Sequence, residues 1–169
     1  MARASTRDNK NVFWHTREAL GLSREAASEL LETIPPERIE RIETEKFMPH
    51  PDEVLLMAEK YKAPTLCNYY CSQICPIGQQ YVPEIKVKDL SQIVLEMLAS
   101  LNSMQRQTTR LIDIAADGVI DNDELKDFVH IQKELERISI TVETLQLWSE
   151  QMLANGKINM EQYNALTSQ

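Results

Sequence analysis

Two groups of residues have types and spacings that could do chemistry. Cys67, Cys71 and Cys75 recur every fourth residue, like a thiolate ligand set or a redox box. Zinc needs each sulfur at roughly 2.3 Å. On one helix Cys67 and Cys75 are about 12 Å apart along the axis, so a single helix cannot offer all three to one ion. No partner CxxC or HxxxH stands elsewhere, and Leu66, Tyr70 and Ile74 lie among the thiols; they read as small apolar residues of a packed helix. Asp113, Asp117, Gly118, Asp121 and Glu124 match positions 1, 5, 6, 9 and 12 of a calcium loop, but Ala115 removes the carboxylate of position 3. Gly156 to Gln162 repeats the outline of Gly118 to Glu124 without acidic residues at the ligand positions. The shared part is then structural: a glycine cap, an anchoring Ile120 or Ile158, and Asp121 or Asn159 as N-cap, with Glu124 or Gln162 completing a capping box. No metal and no cofactor is expected. The histidines, His15, His50 and His130, are scattered, and no nucleophile–base–acid set, carboxylate dyad or Gly-rich phosphate loop is present. The chain is not expected to be an enzyme.

A third stretch, Arg17 to His50, is dense in both charge signs, and the elements around it decide what those charges can do. Gly21 suits the left-handed residue that closes a helix over about Asn11 to Leu20. Ser23 is a strong N-cap for a helix over Arg24 to Leu31. Glu32-Thr33-Ile34 is a turn, and Pro35-Pro36 opens a helix over Glu37 to Thr44 that turns Ile39 and Ile42 inward. Further helices follow over Pro51 to Tyr61 and Thr65 to Cys75. Two short helices across a tight turn, with flanking helices, is a DNA-binding plan.

Leu20-Gly21-Leu22-Ser23, the small Ala26 and Ala27, the Ile39-x-x-Ile42-Glu43 run and Pro49 resemble the XRE (Cro- and phage-repressor-like) helix-turn-helix family over about Asn11 to Ala63. The chain departs from the pattern in three places. The turn lacks the usual Gly and is one residue longer, Glu45 replaces a Gly, and Pro35 replaces a Ser or Thr. The resemblance implies a DNA-facing set of Arg17, Ser23, Arg24, Pro36, Glu37, Arg38, Arg41 and Lys46. Within it, arginine would read guanine, glutamate would accept from cytosine, and Lys46 would meet phosphate.

Composition fits a folded helical chain: 169 residues, 43% hydrophobic, 26% charged, with four Gly and seven Pro. No apolar stretch is long enough for a membrane span, and the first residues, MARASTRDNKN, have no signal-peptide core. Three cysteines without such a signal suggest reduced thiols and a cytoplasmic location. The net charge is −8, which disfavours indiscriminate DNA binding. The acidity is uneven, with −2 over residues 1–78 and −6 over residues 79–169.

The expected organisation is all-α. Residues 1–10 form a flexible arm in which Arg3 and Arg7 could touch DNA. Residues 11–78 form a five-helix repressor-like domain, 79–88 a linker, and 89–169 a long antiparallel helical hairpin with a short terminal helix. On the first long helix Leu90, Val94, Met97, Leu101, Met104, Thr108, Leu111 and Ala115 form a heptad seam. Phe128, Ile131, Leu135, Ile138, Val142, Leu145 and Met152 form the seam of the second. Ile93, Ile112, Val129 and Trp148 lie on the flanks, which one hairpin cannot cover, so a homodimer is expected. The reading is a sequence-specific transcriptional regulator that binds double-stranded DNA as a dimer. The alternative is a non-DNA interaction module, an adaptor or antirepressor on a degenerate version of the same helices. The two differ in local charge: the alternative leaves Glu37 and Glu40 unpaired and facing outward.

Overall fold

The computed structural model describes residues 10–167; of the arm expected over residues 1–10, all but Lys10 lies outside them. Among the described residues the chain is helical throughout and has no strand. It divides into two compact units. Residues 10–84 with 150–167 make one, and Ile85–Ser149 makes the other. The sequence grouped 150–169 with the hairpin; instead these residues cluster with the N-terminal unit, where Gln151 Nε2 donates to the Lys62 carbonyl at 3.0 Å.

The first unit opens with α1 (Val12–Ala19), capped by Asn11, whose side chain accepts from the Trp14 amide at 3.1 Å. The same side chain donates to the Ile42 carbonyl at 2.7 Å, tying the start of α1 to the end of α3. Gly21, at φ +68°, turns the chain in the left-handed region that glycine tolerates. Ser23 caps α2 (Arg24–Leu31) by accepting from the Ala26 amide. Glu32 then takes φ +62° and supplies, without glycine, the reversal before α3 (Pro36–Glu43). α4 is Pro51–Lys60. α5 (Thr65–Tyr69) continues into a π-helical turn over Tyr70–Ile74, and α6 is Gly78–Tyr81. The sequence placed the end of a domain and a linker here. Phe13, Ala27, Leu31, Ile34, Ile39, Ile42, Val54, Met57, Ala58, Tyr61 and Leu66 form one buried cluster, so α1 to α5 share a single core. Phe13 meets Tyr69 edge to face at 6.0 Å.

The second unit is an antiparallel pair: α7 (Leu90–Ala115) and the greater part of α8 (Leu125–Ala154). Arg110, late in α7, bonds Asp127, early in α8, at 2.7 Å. The loop between them follows the outline in its glycine and its N-cap, whereas Ile120, expected to anchor the turn, is exposed. Gly118 is left-handed at φ +74°, and Asp121 Oδ1 accepts from the Glu124 amide at 3.0 Å. The same device opens α9 (Met160–Thr167), where Asn159 Oδ1 accepts from the Gln162 amide at 3.0 Å.

Part of the expected seam holds, with Ile131 buried and Met97, Met104, Leu111 and Leu145 half-buried, but at four positions the buried residue is the one before the expected one. Ile93, Ser100, Glu134 and Thr141 are buried, while Val94, Leu101, Leu135 and Val142 are exposed. Each exposed residue follows a buried one and therefore stands about 100° further round its helix. Ile93, expected on the flank, is buried; Val94, Leu101, Leu135 and Val142, expected inside, point outward.

The tightest backbone approach is at Gly78. A Cβ there would lie 2.0 Å from the Cys71 carbonyl oxygen in the π-helical turn. Gly78→Ala should lower stability by about 1–3 kcal/mol, because the contact is with backbone that cannot swing aside. Urea unfolding of the variant beside the parent measures it; equal midpoints would show that the turn yields freely.

Candidate functional site

The charged stretch is organised by one buried carboxylate. Ile39, Ile42 and Glu43 share the inward face of α3, and Glu43 is 2% exposed. Its Oε1 accepts from Arg17 Nε at 2.5 Å, and its Oε2 accepts from Arg17 at 3.2 Å and from Arg24 Nε at 2.8 Å. Arg17 is 3% exposed, stands one helical turn after Phe13 on α1, and also donates to Glu18 at 2.9 Å and to the Leu22 carbonyl. Burial alone would push the Arg17 guanidinium down, but Glu43 and then Glu18 outweigh it and hold it above its ordinary value. Glu43 thereby links α1, the start of α2 and α3. Close by, the Tyr61 hydroxyl is buried without a hydrogen-bond partner, and burial followed by the field of Glu43 pushes its pKa up to about 12.

A second ion pair fixes α3 against α4. Arg38 donates through Nε to Glu53 Oε1 at 2.7 Å and through a terminal nitrogen to Glu53 Oε2 at 2.6 Å, a two-point pairing. It also donates to the Met48 carbonyl at 3.0 Å, and Glu53 accepts from the His50 amide at 2.7 Å. Burial pushes the Glu53 carboxyl up, but the bonds from Arg38 and the His50 amide prevail and bring it below its ordinary value.

These bonds sort the residues expected to face DNA. Arg17 is enclosed in the core, so its direct role is positional; the inward spacing of Phe13 and Arg17 was the available signal. Arg24 and Arg38 are half-buried and already bonded to Glu43 and Glu53. Ser23 is exposed but spends its hydroxyl as the acceptor that caps α2. Pro36 starts α3 and is half-buried. Glu37, Arg41 and Lys46 are exposed, and so are Glu40 and Glu45. The Arg41 guanidinium lies 5.4 Å from the centre of the Phe47 ring, an exposed aromatic that steadies it. The exposed face of α3 and the turn after it thus carries three carboxylates and two cations, and neither Glu37 nor Glu40 has an ion-pair partner among the described residues.

The three cysteines are half-buried free thiols in α5, the π-helical turn and the residue after it. Burial pushes the Cys67 thiol up, with Cys71 and Glu150 adding to the effect, the reverse of an activated thiolate. Among the described residues, no cluster of three or more His, Cys, Asp or Glu side chains is placed to hold a metal ion, and no helix is long and apolar enough to cross a membrane.

The second unit contains a groove of about 460 Å³ between α7 and α8. Its lining includes Ser100 and Ser103 from α7 and Glu134, Arg137 and Thr141 from α8. Periodicity does not reveal it, because its polar residues sit among apolar heptad positions.

No family model, no curated protein and no solved structure matches the chain.

Removing the Glu43 carboxylate would leave Arg17 as an uncompensated buried charge. Glu43→Ala should therefore cost about 3–5 kcal/mol. Arg41→Ala, at an exposed site, should fall within about 0.5 kcal/mol of the parent. Thermal and denaturant unfolding of the two variants compares these values; a mild Glu43→Ala would mean that water reaches the cluster.

Proposed function

We propose that the chain is a sequence-specific DNA-binding regulator of helix-turn-helix type that acts as a homodimer. The observation that carries the DNA reading is the clamped geometry of α2 and α3. Arg17, Arg24 and Glu43 hold the N-terminus of α2 against α3, and Arg38 with Glu53 holds α3 against α4, so α3 presents a fixed outer face. A reading helix must be rigid to place a few side chains against base edges. On this face Arg41 is the base reader, Lys46 the phosphate contact, and Glu37 and Glu40 acceptors for cytosine amino groups. Arg24 joins them only by giving up part of its bond to Glu43. With so few cations, non-specific affinity is weak and binding depends on the correct sequence.

One observation favours a second reading. Glu37 and Glu40 are exposed and unpaired beside Glu45, the feature that separates a protein-interaction module from a DNA reader. In that reading the same face takes a basic protein surface instead of phosphate. A mobility-shift series on duplexes selected from a random pool distinguishes the two. The DNA reading predicts affinity that falls steeply with salt, and a log–log slope about two units shallower in the Arg41→Ala, Lys46→Ala double variant. Selection that enriches no duplex would sink it and leave the interaction module.

The dimer reading rests on the outward stripe of the hairpin. Leu101 is 47% exposed and Leu135 46%, and Val94, Leu98, Ile112 and Val142 are exposed with them. Leu101 follows the groove residue Ser100, and Leu135 follows Glu134. In antiparallel helices a rotation of the same sense brings both stripes to one side of the pair. Leaving such side chains in water forgoes about 1.5–3 kcal/mol each, and a second copy of the same stripe covers them by two-fold symmetry. Light scattering on the full chain should give a dimer at micromolar concentration. Leu101→Asp with Leu135→Asp should give a monomer with unchanged far-ultraviolet circular dichroism, because both side chains stand at the edge of the hairpin, nearly half exposed, where an aspartate can reach water. A monomeric parent protein refutes the dimer.

A further inference from the structure

Most large polar side chains buried in the molecule have partners, but Glu134 is only half satisfied. Its side chain is 8% exposed, and Oε1 accepts from Arg137 at 3.0 Å. Oε2 is buried and has no hydrogen-bond partner. Leaving a buried carboxylate oxygen unmatched is costly, and the residue lines the groove between α7 and α8. The other charges there are already matched: Lys88 donates to Glu96 at 2.6 Å, and Glu96 also accepts from Gln92 at 3.1 Å. The Thr141 hydroxyl is bonded to the Arg137 carbonyl at 2.7 Å. Arg137 and then the nearby Ser103 hydroxyl hold the Glu134 carboxyl below its ordinary value. Yet no donor is seated within bonding geometry of Oε2, so what the groove can still take is a donor at that oxygen, not an acceptor. At about 460 Å³ its volume suits one small molecule. Ser100 and Ser103 line the same space, with Ala99 and Ile140 as its apolar part.

We propose that this groove is a binding site for a small molecule carrying a protonated amine, which donates to Glu134 Oε2 while hydroxyl groups of α7 surround it. The site belongs to the hairpin alone and does not depend on whether the first unit reads DNA. Such a ligand would bridge α7 and α8 through a polar layer and favour one spacing of the two helices. Two kinds of molecule share the chemistry: a simple alkylamine, and an amino acid whose carboxylate would use the spare donors of Lys88 or Arg137.

The test is calorimetric titration of the full chain with butane-1,4-diamine, 4-aminobutanoate and butan-1-ol. Saturable one-site binding of at least one amine, with none of the alcohol, is expected; tighter binding of 4-aminobutanoate identifies the amino-acid type, and tighter binding of the diamine the alkylamine type. Glu134→Gln should weaken the preferred amine about 10- to 100-fold, as expected for loss of a charge-assisted hydrogen bond. Glu136→Gln, at an exposed position of the same helix, should leave binding unchanged. Because the chain is acidic overall, amines can also gather non-specifically; equal losses in Glu134→Gln and Glu136→Gln would overturn the site, as would no binding of either amine. Should Glu134→Gln fail to fold, Ser100→Leu fills the groove while retaining the carboxylate, and undiminished amine binding to that variant overturns the proposal equally.

Discussion

The N-terminal unit depends on the burial of one negative charge. Glu43 lies at 2% exposure between two arginines from different elements, and such a charge is tolerable only while both its oxygens are occupied. A hydrophobic contact accepts many geometries, whereas a carboxylate bonded at 2.5 and 2.8 Å accepts few. The core of Phe13, Leu31, Ile39 and Ile42 supplies the driving force for bringing α1, α2 and α3 together. The charge cluster decides at which angle and register they meet. It also fixes how α3 stands relative to the rest of the unit, and hence which of its side chains face outward.

Much of this unit was legible because its signals are local. Ser23, Gly21 and Pro35-Pro36 mark helix ends by backbone chemistry that operates over three or four residues, and α2 runs over the residues those signals bracket. The inward pair Ile39 and Ile42 follows from helical spacing. What could not be read was the long-range pairing of charges. Arg17 with Glu43 and Arg38 with Glu53 are separated by 26 and 15 residues, and although helical spacing could turn Arg17 inward, it does not say which carboxylate holds which arginine. The family resemblance marked Arg17 and Arg38 as candidates for DNA, yet internal carboxylates already hold both. The missing glycines have a physical resolution. Glu32 and Glu45 adopt φ of 62° and 57° in their place, at a local cost of roughly 1–2 kcal/mol each that the surrounding packing must offset.

The hairpin was legible at a coarser level. Heptad spacing predicts two long helices, and their limits, Leu90–Ala115 and Leu125–Ala154, lie close to the expected ones. The rotation of each helix about its axis was not legible, because the apolar stripe is wider than one neighbour can cover. With Ile93 and Val94 adjacent, and Leu135 beside Glu134, periodicity alone admits two seams a residue apart. Sequence reasoning chooses the more apolar one. The chain instead faces Ser100, Ser103, Glu134 and Thr141 toward the groove and leaves the leucines outside.

That choice makes little sense as the best packing of an isolated hairpin. Burying a carboxylate and several hydroxyls while exposing Leu98, Leu101 and Leu135 gives up hydrophobic free energy and incurs desolvation as well. It becomes reasonable if both faces have other uses: the apolar stripe for a second copy, the polar groove for a ligand that completes Glu134. The same division runs through the first unit, where Arg17, Arg24 and Arg38 are bonded internally while Arg41, Lys46, Glu37 and Glu40 keep their charge at the surface. Groups with internal partners set geometry and have little free energy left for anything else. Groups left without partners are where binding can be strong, so the unmatched Glu134 oxygen, the outward leucines and the free charges of α3 are where any activity of this chain has to be sought.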